Sequence, residues 1–203
     1  MGKKKARKKR KERQYLGKWG AKTIAPMAFL VAFVIVFLAL PIQFGVFSIT
    51  LVSIPVAMGA ILYGSTKGKI LGTIWGVGSF IQAAMGQDLG PIFMAINPAL
   101  TFFVCVVPRA MAGWLAGVIY AAMAKLGEEK KVLAYAVTLV STALLNSILF
   151  LGSIALMFNA AFIEWIWPVF ASIVAINVVF EVVATAIVGV ALAKKQLKVA
   201  ETE

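Results

Sequence analysis

The sequence predicts an all-α integral membrane protein with six transmembrane helices and both termini in the cytoplasm. Composition is the first sign. Hydrophobic residues make up 62% of the 203 and charged residues 14%, against about 45–50% and 25% in a soluble domain. The mean hydropathy of +0.94 points the same way. A chain this short cannot hide so much apolar surface in one core, so the surplus faces lipid. The second sign is a series of apolar stretches near the length a bilayer demands. The third is the placement of the basic residues between them.

A helical span needs about 20 mostly apolar residues. Residues 21–40 supply the first. The stretch 49–63 is shorter and ends at a Gly-Ser-Thr-Lys-Gly turn, and 68–85 is a third, also short. Stretches of this length also suit re-entrant segments. Residues 99–124 contain only Arg109 as a charge, 132–158 contain none, and 166–193 only Glu181. Apolar residues run continuously instead of alternating, which argues against β-barrel strands. The expected division is a basic cytoplasmic segment (1–20), a six-helix membrane domain (21–193) and a cytoplasmic tail (194–203).

Orientation follows from the charges. With six spans drawn, 19 of the 20 Lys and Arg residues fall on one side, and Arg109 is in the membrane. The opposite loops, 43–48, 86–98 and 159–165, hold no Lys or Arg. The positive-inside rule makes the basic side cytoplasmic and the chain a multi-pass protein of the cell membrane. The net charge of +12 does not indicate nucleic acid, because half of the basic residues lie in the first 18 positions, beside an apolar span. That head is expected to lie against anionic lipid headgroups, at about 1 kcal/mol per basic residue near the surface. It is not read as a signal peptide, since the span after it is full length and no cleavage pattern follows.

Catalysis finds little support. The chain has no histidine, and its one cysteine, Cys105, sits in an apolar run. No metal site and no cofactor are expected. A phosphate-binding loop needs Gly, four residues, then Gly-Lys-Ser/Thr. Here Gly64 and Gly68 enclose three residues, and Ile70 follows Lys69. The chain is therefore expected not to be an enzyme and not to hydrolyse ATP.

Small residues recur at steps of three and four, which in lipid lets helix backbones approach closely. Gly64, Gly68, Gly72 and Gly76 form one stripe, and Ala110, Gly113, Gly117, Ala121 and Ala124 another. Both are read as internal packing seams. A third stripe, Ala21, Ala25, Ala28, Ala32 and Ala39, lies beside bulky Phe29, Phe33 and Phe37. It suits either a seam or a smooth face for a detachable membrane partner.

Polar groups inside spans are costly and mark candidate sites. Arg109 falls about 15 Å into its span, and Asn146 and Asn177 about 16–18 Å into theirs, at 1.5 Å per residue. Glu181 is one turn beyond Asn177 on the same face. Gln82, Asn97 and Thr101 lie nearer the outer side. Two readings stand: an internal Arg109–Glu181 pair with asparagines locking helices together, or a polar floor beneath an outward-facing cavity. In the second, Asn97, Arg109, Asn146, Asn177, Glu181 and Gln82 bind substrate: amides donate and accept, and Arg109 receives a carboxylate. The outer loops 41–48 and 86–98 carry Phe44, Phe47, Ile92, Phe93 and Met94 with almost no charge, as a lid would.

Ala28-x-x-x-Ala32, the run Ile54-Pro55-Val56-Ala57-Met58-Gly59-Ala60, Gly64 with Gly68, Asn97-Pro98, and Pro108-Arg109 followed by Gly113 together resemble the S component, the substrate-binding subunit, of energy-coupling factor (ECF) vitamin transporters. The resemblance covers about residues 22–193. It implies a subunit that captures a water-soluble vitamin from outside and docks on a transmembrane coupling subunit driven by two ATPases. It assigns Ala28 and Ala32, with Ala21 and Ala25, to docking, and leaves ATP hydrolysis to the partners. Two asparagines and an arginine suit a small amide-containing carboxylate, and pantothenate is the expected ligand. The competing expectation is a membrane scaffold without a small-molecule ligand.

Overall fold

The computed structural model describes residues 21–40, 42–44, 47–49, 51–87, 89–127, 130–158, 178–188 and 191. Helix α1 (Ala21–Ala39) leads into a hairpin of β1 (Ile42–Phe44) and β2 (Phe47–Ile49), antiparallel with Gln43 opposite Ser48. Then follow α2 (Ser53–Tyr63), α3 (Ser65–Ala84), the short α4 (Gly90–Ile96) and α5 (Pro98–Met123). A 3-10 turn (Ala124–Leu126) precedes α6 (Lys131–Met157). The last described helix is α7 (Val178–Val188).

Three expected boundaries move. Residues 41–48 are not simply loop, since most of them form the hairpin, so the described residues are helical but for two three-residue strands and the connecting turns. The stretch beginning at residue 49 becomes helical only at Ser53. The Gly-Ser-Thr-Lys-Gly turn shrinks to Gly64, whose φ of +88° reverses the chain within one residue and lets α3 begin at Ser65; only glycine adopts that backbone without strain. Helix α2 therefore has 11 residues, about 16 Å of axis, roughly half of a 30 Å hydrocarbon layer.

The two glycine stripes meet as one seam between α3 and α5. A Cβ added at Gly72 would run into the backbone carbonyl of Arg109, and one at Gly68 into that of Gly113. Gly76 packs in the same way on Val106, and Gly117 on Ser65. The backbones touch because neither side has a side chain between them. This contact fixes the height of Arg109 relative to α3.

Around the seam, Met27, Leu30, Val34 and Leu38 of α1 pack on Val52, just before α2, on Val56 of α2 and on Leu71 and Trp75 of α3. Ile54, Ala57 and Ile61 of α2 meet Tyr135 and Leu139 of α6. Phe93 of α4 packs with Val104, Ile154 and Phe158. The opposite faces are apolar and exposed: Phe102, Phe103, Met111 and Trp114 on α5, Leu144 and Ile148 on α6, Val179, Phe180 and Ile187 on α7. Helices α5 and α6, continuing to Leu126 and Met157, are long and apolar enough to cross a bilayer.

Candidate functional site

Arg109 enters the interior because of the residue before it. Pro108 lies inside α5 and has no N–H, so the carbonyl four residues back, that of Val104, loses its helical donor. Arg109 Nη1 donates to that same oxygen at 2.9 Å. The proline thus frees an acceptor and the arginine takes it, which pulls the guanidinium back along α5 and locks its direction. The group lies over the ring of Phe150, 4.0 Å from its centroid, with Trp75 at 5.9 Å. Phe150 sits one turn beyond Asn146 on α6, so one helical face supplies both the aromatic platform and an amide.

That face is polar along its length. Thr138 and Thr142 are fully buried and donate to Ala134 O and Thr138 O, each at 2.7 Å. Both hydroxyls are satisfied within the helix. Asn146, the next residue at this spacing, is not. Its side chain is 9% exposed, and Oδ1 has no hydrogen-bond partner.

Three other buried side-chain atoms share that condition among the described residues: Arg109 Nε, Glu181 Oε1 and Ser53 Oγ. Exposure is 9% at Arg109, 2% at Glu181 and 0% at Ser53. Leaving such an atom unpaired costs about 1–3 kcal/mol, more for a charged group, so native proteins seldom do so without a use. The four atoms come from four helices, α2, α5, α6 and α7. Arg109 and Glu181 are close enough to interact electrostatically. Among the described residues, however, they form no direct ion pair, and each keeps an unpartnered atom. The expected internal pair is thus not closed.

The remaining candidates are placed differently. Gln82 Nε2 donates to Leu38 O at 2.8 Å, tying α3 to the last turn of α1. Asn97 caps α5: its Oδ1 accepts from Ala99 N at 3.0 Å and Leu100 N at 3.1 Å. Thr101 Oγ1 donates to Asn97 O at 2.9 Å. The structure brings Arg109, Asn146 and Glu181 into the interior and uses Gln82 and Asn97 to hold helices at its edge. Asn177 lies outside the described residues. Ser53, Trp75 and Phe150 are additions. Phe150 was readable from its four-residue step past Asn146, whereas Ser53 was hidden by the apparent start of its span at residue 49.

Ala25, Ala28 and Ala32 of the first stripe are exposed on α1, and Ala21 opens the helix. Phe29 and Phe33 are exposed beside them, with rings 4.7 Å apart edge to face. The core-facing stripe of α1 is the other one, Met27 to Leu38. Among the described residues, no cluster of three His, Cys, Asp or Glu side chains could hold a metal ion.

Comparison with known proteins identifies the family. The family model for the ECF transporter, substrate-specific component, matches residues 22–193. The chain belongs to this family. A relative from Lactococcus lactis subsp. cremoris (strain MG1363), the pantothenic acid transporter PanT, is 29% identical over 70% of this chain and 74% of its own length. As an ECF substrate-specific component, the protein resides in a membrane and serves as the substrate-binding subunit of a transporter, not as an enzyme. The apolar perimeter and the polar interior are what that role requires.

Proposed function

We propose that this substrate-specific component captures pantothenate from outside the cell and delivers it through an ECF module, a transmembrane coupling subunit with two ATPases. The single observation that carries the ligand reading is the set of four buried, unpartnered polar atoms on four helices. Pantothenate has a carboxylate for Arg109, an amide N–H for Asn146 Oδ1, and hydroxyls besides. The name of the Lactococcus relative supports the same vitamin. Asn177, one turn before Glu181 in the sequence, joins this site, and Gln82 and Asn97 border it from the outer side.

The chain crosses the membrane six times, through α1, the segment 49–63 (which ends in α2), α3, α5, α6 and the segment containing α7, with both termini in the cytoplasm. The one-sided distribution of 19 basic residues supports this topology. Residues 1–20 lie on anionic headgroups ahead of the membrane domain of 21–193, and 194–203 form a cytoplasmic tail. Docking on the coupling subunit uses Ala21, Ala25, Ala28 and Ala32. The exposure of the last three supports this, since a smooth strip beside Phe29 and Phe33 suits a partner that must bind and release in lipid. Titrating the detergent-purified full chain with a panel of B vitamins tests the ligand. Pantothenate is expected to raise the melting temperature, and no shift with any vitamin would overturn the reading.

A further inference from the structure

The four unpartnered atoms differ in chemistry, and the difference orients the ligand. Arg109 Nε is a donor held beside Phe150. Glu181 Oε1 and Ser53 Oγ lie side by side where α7 meets the first residue of α2; they stand near each other without a well-formed hydrogen bond between them, and neither oxygen meets any other partner. If the carboxyl is ionised, the Ser53 hydroxyl proton is the only one the two groups hold; even when it points at Glu181, the carboxylate and the Ser53 oxygen keep unused acceptor lone pairs. A ligand ammonium would supply donors, but it would stand within electrostatic range of the Arg109 guanidinium. A carboxylate would face Glu181. A neutral hydroxyl satisfies both oxygens without either conflict. The short α2 matters here, because its first residue, not a mid-helix one, meets Glu181, and that helix end has no side-chain cap.

We propose that Glu181 and Ser53 are the specificity-determining residues for the hydroxyl-bearing end of the ligand, which binds with its carboxylate toward Arg109. This rests on the pantothenate reading above. The side chains select a hydroxylated acid over an otherwise equal acid lacking hydroxyls, since removing the donor would leave two buried oxygens unpaired again.

The test uses the full chain in detergent and isothermal titration with pantothenate and with its analogue in which both hydroxyls are replaced by hydrogen. The wild type is expected to favour pantothenate on the order of 100-fold. Glu181→Leu is expected to bind the two within a few-fold of each other, near the analogue's wild-type affinity. Glu181→Gln, which retains an acceptor oxygen, keeps most of the preference, and Ser53→Ala lowers it about 10-fold. If Glu181→Leu does not fold, the Ser53→Ala ratio decides. A wild type that binds both ligands equally, or variants that keep the full preference, would overturn the inference and mean that the two oxygens hold a structural water. A wild type that binds no pantothenate at all would instead overturn the ligand reading itself.

Discussion

Replacing Gly72 with alanine adds one methyl group to the seam on which the site is built. An alanine Cβ at this position would overlap the carbonyl oxygen, the carbonyl carbon and, less severely, Ala110 Cα of α5. All are backbone atoms, so no flexible side chain can swing away. Forcing a methyl into packed backbone costs about 1–3 kcal/mol, while exchanging glycine for alanine inside a helix gains about 1 kcal/mol. The net expectation is a loss of up to about 2 kcal/mol, a few degrees in melting temperature. The overlap falls on the Arg109 carbonyl, so ligand affinity should fall as well. Gly152 provides the control: it lies mid-helix in α6, and an added Cβ would meet nothing within 4 Å. Gly152→Ala should gain the roughly 1 kcal/mol of propensity alone. Thermal unfolding of both variants in the same detergent measures the difference. If Gly72→Ala were as stable as Gly152→Ala, the backbone contact between α3 and α5 would be refuted.

Arg109→Lys should weaken pantothenate binding by about 10-fold or more in a titration, because an ammonium lacks the fork that serves Val104 O and a ligand together. Asn146→Leu should leave the melting temperature of the empty protein unchanged or raised, since it removes an unpaired buried acceptor costing about 1–3 kcal/mol, while binding falls; a strongly destabilised variant would show that Asn146 locks helices instead. Ala28→Trp should abolish uptake in cells carrying the coupling module and leave binding by the purified chain intact; loss of both would make the alanine strip a packing seam.

Hydropathy was a good guide where one face of a helix meets lipid and the other a packed core. The stretches 99–124 and 132–158 differ by a single residue at each end from α5 and α6. It was a poor guide at 41–63, because an apolar hairpin and an apolar helix have the same composition, and only hydrogen-bond geometry separates them. Misplacing the start of α2 buried Ser53 in the middle of an imagined longer helix, where it drew no attention. The short α4 was missed for a related reason: its Phe93 packs into the core, and the loop's apolar residues were read as a lid. The polar interior was legible as a set of costly residues at similar heights. Which of them the protein would satisfy internally was not, since Gln82 finds its partner on a different helix, 44 residues away, and Asn97 turns its side chain back to cap its own helix. The reach of Arg109 back to Val104 was implicit in Pro108-Arg109, because a proline always strands the carbonyl four residues before it.

If α2, α5, α6 and α7 enclose a substrate-binding chamber and not a locked polar core, the protein binds its vitamin through Arg109. Calorimetric titration of the purified full chain with pantothenate, wild type beside Arg109→Ala, tests it most directly. Saturable binding well below micromolar is expected in the wild type, weakened by about 30-fold or more in the variant, as for truncating a buried charged partner. Equal binding by both proteins, or no heat from either, would contradict it.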